Sequence, residues 1–379
     1  MTSDEQPPKA GSPFSPTSTE VARLLSTVIA HLDLDAFFAA CEVLEHPEYA
    51  GKPLVVGGDP HGRGVVSTAS YEARPFGIRS AMSAAEALRR CPDAIFVRPD
   101  IEHYRRRSRA VWEWIRRRTS CVEQVGIDEG YIELVTPYAE PARAILADLQ
   151  QGLLRETRLS ASIGCGGCKT VAKIASDFRK PGGLTVVPPE QSAEFLAPLE
   201  LRALPGIGPR LEARLAQLKL RTIGDLAALS DEALRRALPG VVGLELRDRA
   251  RGIDERPVDP SPQMPVSQGA EETFPRDLFA PAEMEAWIDR LAESVWSRLE
   301  AHDLCARRAT AKIRYFDFQT VTRSQTMGEP FASAEELAAS AKTLLRRALG
   351  ERQAAVRLLG VYASKLCERG KEAQIRLPL

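Results

Sequence analysis

The chain has 379 residues, 44% of them hydrophobic and 27% charged, with 51 basic side chains balanced by 51 acidic ones. That is too long for one hydrophobic core and suits two to four domains of an ordinary globular protein. No apolar run approaches the roughly 20 residues that cross a bilayer, which excludes a membrane-spanning helix, and the opening MTSDEQPPKAGSPFSPTSTE has neither the basic start nor the apolar middle of a secretory signal.

A cytoplasmic protein is expected. Its seven cysteines, odd in number and without short repeated spacings, are expected as reduced thiols. The pair Cys165-Gly-Gly-Cys168 has no second pair or His pair to complete a zinc site, so small residues in a tight loop are the simpler reading. Net neutrality argues at first against a nucleic-acid partner, but the charge is unevenly spread. Residues 98–118 carry eight arginines against three acids, and residues 305–325 carry five basic side chains against Asp317. Such stretches suit a DNA-facing groove, although Arg-rich helix faces are often merely solvated.

In chain order, residues 1–20 are rich in Pro, Ser and Thr and predict a disordered tail, taken here to run to residue 26. TVIAHLDLDAFFAACE (27–42) opens as a strand and passes into a helix. Short strands follow at KPLVVGG and GVVSTAS, then a helix in SAMSAAEALRRC and a long Arg-rich helix over 101–118. A strand pair is predicted around 121–134, with VGIDEGYIEL as its second member, then a helix over 139–155, the strand SASIGC and the helix TVAKIASDF. The mixture of hairpin and crossover connections predicts an α+β core rather than a doubly wound sheet.

After Pro181-Gly-Gly the pattern turns to short helices. In LPGIGPRLEARLAQLKLRTIGDLAAL, glycines 206 and 208 allow a tight turn whose bare N–H groups bind phosphate, as in a helix-hairpin-helix, although a plain inter-helix turn has the same appearance. Four prolines in DERPVDPSPQMPV mark an extended linker. Residues 267–368 then read as a βαβ-like unit, before a tail ending in AQIRLPL.

The chemistry centres on acids in expensive places. Asp33 lies in the apolar run HLDLDAFF, and Asp128 and Glu129 stand side by side within VGIDEGYIEL. Buried carboxylates are costly unless a cation neutralises them, and three acids converging from two strands supply the hard oxygen ligands of a magnesium pair. Strict alternation would point Asp128 and Glu129 to opposite faces unless the strand bends, and each acid alone is equally readable as a capping or ion-pair residue.

Together, Asp33-Leu34-Asp35-Ala36-Phe37-Phe38, Tyr71-Glu72-Ala73-Arg74, Ile127-Asp128-Glu129 and Lys169-Thr-Val-Ala-Lys173 resemble, in order and spacing, the Y-family translesion DNA polymerases, in their bacterial DinB-like branch. The resemblance runs from about residue 27 to 379. It implies a right-handed polymerase with a palm (27–41 and 100–180), small fingers (42–99), a helical thumb with the helix-hairpin-helix (181–256), a linker (257–266) and a little finger (267–368). By the same resemblance Asp33, Asp128 and Glu129 are the catalytic carboxylates and bind two magnesium ions, with manganese as a substitute, assisted by the carbonyl of Leu34. Asp35 matches the pattern without being a ligand. Phe37, Phe38, Thr68, Tyr71, Arg74 and Lys173 would hold the deoxynucleoside triphosphate, Phe38 acting as the steric gate against a 2′-hydroxyl; a core phenylalanine is its plainer reading. Primer-template DNA would meet Gly206, Ile207 and Gly208 in the thumb and Arg323 and Ser324 in the little finger. Gln374, Leu377 and Leu379 resemble a peptide that docks on the replication sliding clamp. A monomer without proofreading, tolerant of damaged templates, is implied.

Four residues depart from the family's usual pattern: Gly126, Gly130, Gly166 and Cys168. Gly126 and Gly130 are expected to let the backbone bend so that adjacent carboxylates reach the same metals. Two other functions compete. One is a catalytically silent scaffold that binds DNA and clamp, which retention of all the acids and phosphate-binding cations opposes. The other is a nucleotidyl cyclase, in which the helix-hairpin-helix and C-terminal unit would have no purpose.

Overall fold

The computed structural model describes residues 26–136, 140–238, 241–261 and 264–370. By packing, the chain divides into one unit of Met1–Gly57, Val66–Ala81 and Arg90–Ser261, and a second of Gly58–Val65, Met82–Arg89 and Pro262–Leu379.

The chain opens with β1 (Ser26–Leu34), α1 (Phe37–Glu45), β2 (Leu54–Gly57), β3 (Val66–Ala69), α2 (Ala84–Arg90), β4 (Ile95–Val97) and α3 (Ile101–Arg116). It continues with β5 (Val122–Gln124), β6 (Glu129–Thr136), α4 (Glu140–Thr157), β7 (Ala161–Gly166), α5 (Lys169–Asp177) and β8 (Leu184–Val186). Five of these strands form a mixed sheet in the order β5-β6-β1-β7-β8, with β1 antiparallel to both neighbours and β8 parallel to β7. The small sheet β3-β2-β4 lies in the segment between α1 and α3.

Strand β1 is central, and its alternation sets the two faces of the large sheet. Val28, Ala30, Leu32 and Leu34 join a core with Tyr104 and Trp112 of α3 and Leu146 of α4. The opposite register, Ile29, His31 and Asp33, faces α5, with Ile29 packed against Tyr131, Ala172 and Val258. Helix α5 lies so close that a Cβ on Gly164 would sit 2.1 Å from the Ala172 carbonyl oxygen.

Three local features differ from the sequence reading. First, β6 begins only at Glu129: the N–H groups of Val125 and Gly126 both donate to the Glu129 carbonyl, at 3.2 and 3.0 Å, and close a turn. Asp128 therefore lies in a bend, not in the strand's middle, and the predicted clash of alternation does not arise. Second, neither Gly126 nor Gly130 has a positive φ, so the bend over residues 126–128 uses no backbone conformation reserved for glycine. Gly130 is required for space, because a Cβ there would meet the Trp112 ring at 2.6 Å.

Third, residues 254–259 are extended, as a linker should be, yet they are bound to the sheet domain. The Asp254 carboxylate accepts the Thr170 N–H (3.2 Å) and hydroxyl (2.7 Å), and the Asp259 N–H donates to Glu123 (2.7 Å). Cys168 at the N-cap of α5 makes no side-chain cap. Asp254, 84 positions beyond Thr170, supplies it instead, which satisfies the orphan donor that Cys168 leaves.

Helices α6 (Ser192–Leu196), α7 (Pro209–Gln217), α8 (Ile223–Ala227), α9 (Asp231–Ala237) and α10 (Val241–Ala250) pack around Leu196, Leu215, Ile223, Leu234 and Leu246. A capping box of Thr222 and Asp225 starts α8.

The second unit contains β9 (Ser267–Leu278), α11 (Pro281–Ala301), β10 (Leu304–Tyr315), β11 (Thr320–Thr326), α12 (Ala334–Glu351) and β12 (Val356–Glu368). Its order, β11-β10-β12-β9, is antiparallel throughout. Strands β9 and β10 both flank β12, so the βαβ expectation is met in split form. Ala309, Ala311, Ile313 and Tyr315 of β10 are buried with the apolar faces of α11 and α12. Arg308, Thr310, Lys312 and Arg314, on the other register, are partly exposed. Among the described residues, no helix is long and apolar enough to cross a membrane.

Candidate active site

The acids singled out by sequence meet at one end of the large sheet. Antiparallel register sets Asp33 of β1 directly opposite Glu129 of β6, and the Leu34 N–H donates to the Asp128 carbonyl at 2.9 Å, fixing the bend beside them. Two carboxylates directly across a ladder repel, and each is met by an ammonium group. Lys180 Nζ lies 2.8 Å from Asp33 and 2.7 Å from Asp177. Lys173, one of the predicted cations, pairs with Glu129.

His31, fully buried on the same face, completes the group. Its Nδ1 is 2.8 Å from Ser176 Oγ, and its Nε2 is 3.4 Å from Glu129. The Ser176 hydroxyl donates to the Lys173 carbonyl at 2.7 Å, so Ser176 accepts from Nδ1, while Nε2 stands between the Glu129 carboxylate and the Lys173 ammonium, 3.5 Å away. Hydrogen bonding from His31, joined by Lys173, outweighs burial and holds the Glu129 carboxyl at about 2. Burial lowers the pKa of His31 itself.

The other two acids go the opposite way. Burial raises Asp33, against the pull of Lys180. Burial, and then the negative charge of Asp33, raises Asp128, which has no ammonium or guanidinium partner among the described residues. No three His, Cys, Asp or Glu side chains among the described residues stand close enough to clasp an ion as they are. Yet the donor set suits a hard divalent cation: three carboxylates, one of them outside any ion pair among the described residues, and the Leu34 carbonyl beside them.

Asp35 points elsewhere. Strand β1 ends at Leu34, and Asp35 stands in the turn before α1. Its carboxylate accepts from Ser160 Oγ (2.7 Å), Ser162 Oγ (2.8 Å), the Gly182 N–H (2.9 Å) and the Tyr71 hydroxyl (3.1 Å). Burial first, and then the Asp35 charge, pushes the Tyr71 phenol up to about 12. The Arg74 guanidinium lies over the Tyr71 ring, 3.9 Å from its centroid, so these two predicted nucleotide-binding residues do share a place.

The neighbouring phenylalanines divide. The ring of Phe37 belongs to the core, 2% exposed. Phe38 is partly exposed and stacks on Tyr104, centroids 4.3 Å apart, so the plainer reading as a core residue fits Phe37 rather than Phe38. Thr68 is half-buried in β3, paired with Val56.

Of the residues assigned to DNA, Gly206 has φ 102°, which favours glycine, Ile207 is buried, and Gly208 precedes α7 with open space at its Cβ position. Arg323 and Ser324 do not share a face. Ser324 Oγ lies 2.8 Å from Thr310 on the open side of the second unit's sheet, whereas Arg323 pairs with Glu351 of α12. Gln374, Leu377 and Leu379 lie outside the described residues. Sequence reasoning missed Lys180, His31, Ser160, Ser162 and Tyr104. Only Lys180, set before the Pro-Gly-Gly break, carried a local cue.

Known proteins agree with this architecture. A family profile described as the impB/mucB/samB family matches residues 32–177, its C-terminal domain matches 265–377, and a thumb-domain profile described for DNA polymerase-iota matches 202–254. A DNA polymerase IV from Halorhodospira halophila is 41% identical over 350 residues, 92% of this chain and 97% of that protein. One from Alkalilimnicola ehrlichii is 42% identical over 341 residues, 89% and 95% of the respective chains. A solved chimera of Y-family DNA polymerases superposes with a TM-score of 0.83 at 25% identity, covering 90% of this chain and 99% of that one. DinB from Sulfolobus solfataricus gives 0.60 at 25% identity, covering 89% and 98%. Three carboxylates gathered at one sheet end, the Tyr71–Arg74 pair and profile matches over most of the length lead to one conclusion: the chain belongs to the impB/mucB/samB family of Y-family DNA polymerases.

Proposed function

We propose that this protein is a DNA-directed DNA polymerase of the DNA polymerase IV kind, adding deoxynucleoside monophosphates to a primer 3′ end in translesion synthesis. The observation that carries this is the meeting of Asp33, Asp128 and Glu129 at one sheet end, where burial and the Asp33 charge outweigh the attraction of Lys180 for Asp128. These carboxylates and the Leu34 carbonyl would hold two magnesium ions. Such ions, when bound, activate the primer hydroxyl and neutralise charge developing on the phosphates.

The chain's own groups do the rest. Tyr71 and Arg74 orient the triphosphate, Arg74 as a multidentate donor, with Thr68 beside them. Lys173 and Lys180, now on Glu129 and Asp33, are the ammonium groups at hand for phosphate oxygens once those carboxylates turn to metal. Phe38, backed by Tyr104, closes the floor under the sugar. No covalent intermediate with the enzyme is needed, because positioning and charge stabilisation suffice.

The turn at Gly206, Ile207 and Gly208 and the open face carrying Ser324 would hold the primer-template backbone, and Gln374, Leu377 and Leu379 the sliding clamp. In this reading the palm, fingers, thumb and little finger take the boundaries given from the sequence, and a monomer in the cytoplasm is part of the same reading. The scaffold alternative is disfavoured by the intact set of acids.

Primer extension with deoxynucleotides and magnesium tests the proposal. The parent should extend, and Asp128→Ala should lose about three orders of magnitude or more, the scale of removing a group that stabilises transition-state charge. Extension by both proteins overturns the metal assignment; extension by neither favours the scaffold. Phe38→Ala should admit ribonucleotides, and an unchanged preference for deoxynucleotides refutes the gate.

A further inference from the structure

Asp35 is the one acid of the Asp33-Leu34-Asp35 stretch to which the reaction gives no work. It is 5% exposed and makes no ion pair among the described residues. Neutral donors occupy both of its oxygens instead: Tyr71 and Ser162 on Oδ1, Ser160 and the Gly182 N–H on Oδ2. Its own N–H donates to the Ser160 carbonyl at 2.9 Å, so the turn and the start of β7 are tied from both backbone and side chain.

Three of the four donors come from β7, the residue just before it and the loop after α5, and would be satisfied by an acid with a purely structural task. The fourth does not fit that account. Tyr71 follows β3, 36 residues along the chain, and carries the Arg74 guanidinium on its ring. Gly182 also lies two residues from Lys180, whose ammonium stands on Asp33. One buried carboxylate thus joins the phenol of one segment to the loop that bears a lysine of another.

We propose that Asp35 is a positioning residue for the incoming nucleotide, holding Tyr71 and the Lys180 loop where both can meet the triphosphate. This rests on the reading of Tyr71 as a triphosphate-binding residue. The phenol has one proton, and in this state it lies on Asp35. Rotation about the C–O bond carries that proton to a phosphate oxygen without moving the ring, and Asp35 keeps three other donors meanwhile. Preorganisation of this kind lowers the ordering cost of binding and leaves the chemical step alone.

The test is steady-state single-nucleotide insertion by the full chain on a primer-template, with primer-template Kd and Tm measured alongside. Asp35→Asn should raise KM for the deoxynucleotide about tenfold, leave kcat within about threefold, and leave the primer-template Kd unchanged. Tyr71→Phe should raise KM less, and the double variant should be no worse than Asp35→Asn alone, because the single change already includes the loss at Tyr71. Ser160→Ala with Ser162→Ala loosens the carboxylate without touching Tyr71 and should move KM in the same direction, which covers the case where Asp35→Asn does not fold. Multiplying effects of Asp35→Asn and Tyr71→Phe overturn the inference, as does a loss confined to kcat or to DNA binding. If Tyr71→Phe and Arg74→Ala leave KM unchanged, the underlying reading of the nucleotide site falls; if they raise it and Asp35→Asn does not, only the role of Asp35 falls.

Discussion

The two large sheets carry their polar side chains on opposite plans. In the sheet built on β1, polar groups sit on a face covered by α5, so His31, Asp33 and Glu129 each need a particular partner: Ser176, Lys180 and Lys173. In the sheet of β9 to β12, one face is packed on α11 and α12 and the other is left to water. There Arg308 and Arg314 take neutral cross-strand contacts, to Thr326 and Thr320, and Lys312 pairs with Glu271 of β9 at 2.6 Å. The difference teaches where function is brittle. A covered face tolerates little change in shape, whereas an open face is limited mainly by total charge.

Two glycines put this to its severest test. A methyl group at Gly164 would fall 2.1 Å from the Ala172 carbonyl oxygen and 2.2 Å from the Ser176 nitrogen, both backbone atoms of α5. Gly164→Ala should therefore push α5 off the sheet and cost about 4 kcal/mol, at the upper end of overpacking penalties, or prevent folding outright. At Gly360, in the open-faced sheet, the nearest atom would be Glu271 Cγ at 3.0 Å, part of a flexible side chain. Gly360→Ala should cost under about 1 kcal/mol. Equal denaturation midpoints for the two variants would break the comparison.

A smaller effect is expected at the strap that covers the first sheet. Asp254, its side chain 2% exposed, caps α5 through Thr170 and takes two hydrogen bonds from Arg256. Burial alone would raise the carboxyl, but Arg256 and Thr170 outweigh it and hold it at about 2, below the ordinary 3.8. The folded state thus favours the charged form. The stabilisation is complete above the ordinary value and is lost as pH falls from about 4 through 2. Asp254→Asn should cost about 1–2 kcal/mol at neutral pH, the range of a lost cap. The gap from the parent in chemical denaturation should shrink toward pH 2, and a gap independent of pH would show that the carboxylate's charge is not what holds the strap.

The same contrast explains what could be read from the amino-acid order. Strands, helices and the split βαβ of the second unit follow from local alternation, and Asp33, Asp128, Glu129, Tyr71 and Arg74 lie in short recognisable runs. The groups that hold them do not. His31 meets Ser176 145 residues away, Asp35 meets Gly182 147 away and Thr170 meets Asp254 84 away. No periodicity encodes such pairings, because they depend on register between strands and on which helix covers which face. The turn that starts β6 late was equally hidden. Apolar spacing suggested a continuous strand through Asp128, and the competing hydrogen bonds to the Glu129 carbonyl are visible only in three dimensions.

The open sheet offers the gentlest test, since its side chains act through charge and not through fit. Arg308, Lys312 and Arg314 alternate along one strand on the water side, beside Thr322 and Ser324 of the neighbouring strand. Arg323, on the other register, is spent on Glu351. If this face meets the DNA backbone, replacing any one of the three with Ala should weaken primer-template binding a few-fold at moderate salt, without regard to sequence, and flatten the plot of log Kd against log salt by about 0.9. Tm should hardly move, because exposed pairs contribute about 1 kcal/mol or less. Arg323→Ala should leave the salt slope as it was. A change of slope at Arg323 and none at the other three would mean that the helix side, not the open side, faces the nucleic acid, and the division between covered and open faces would lose its functional meaning.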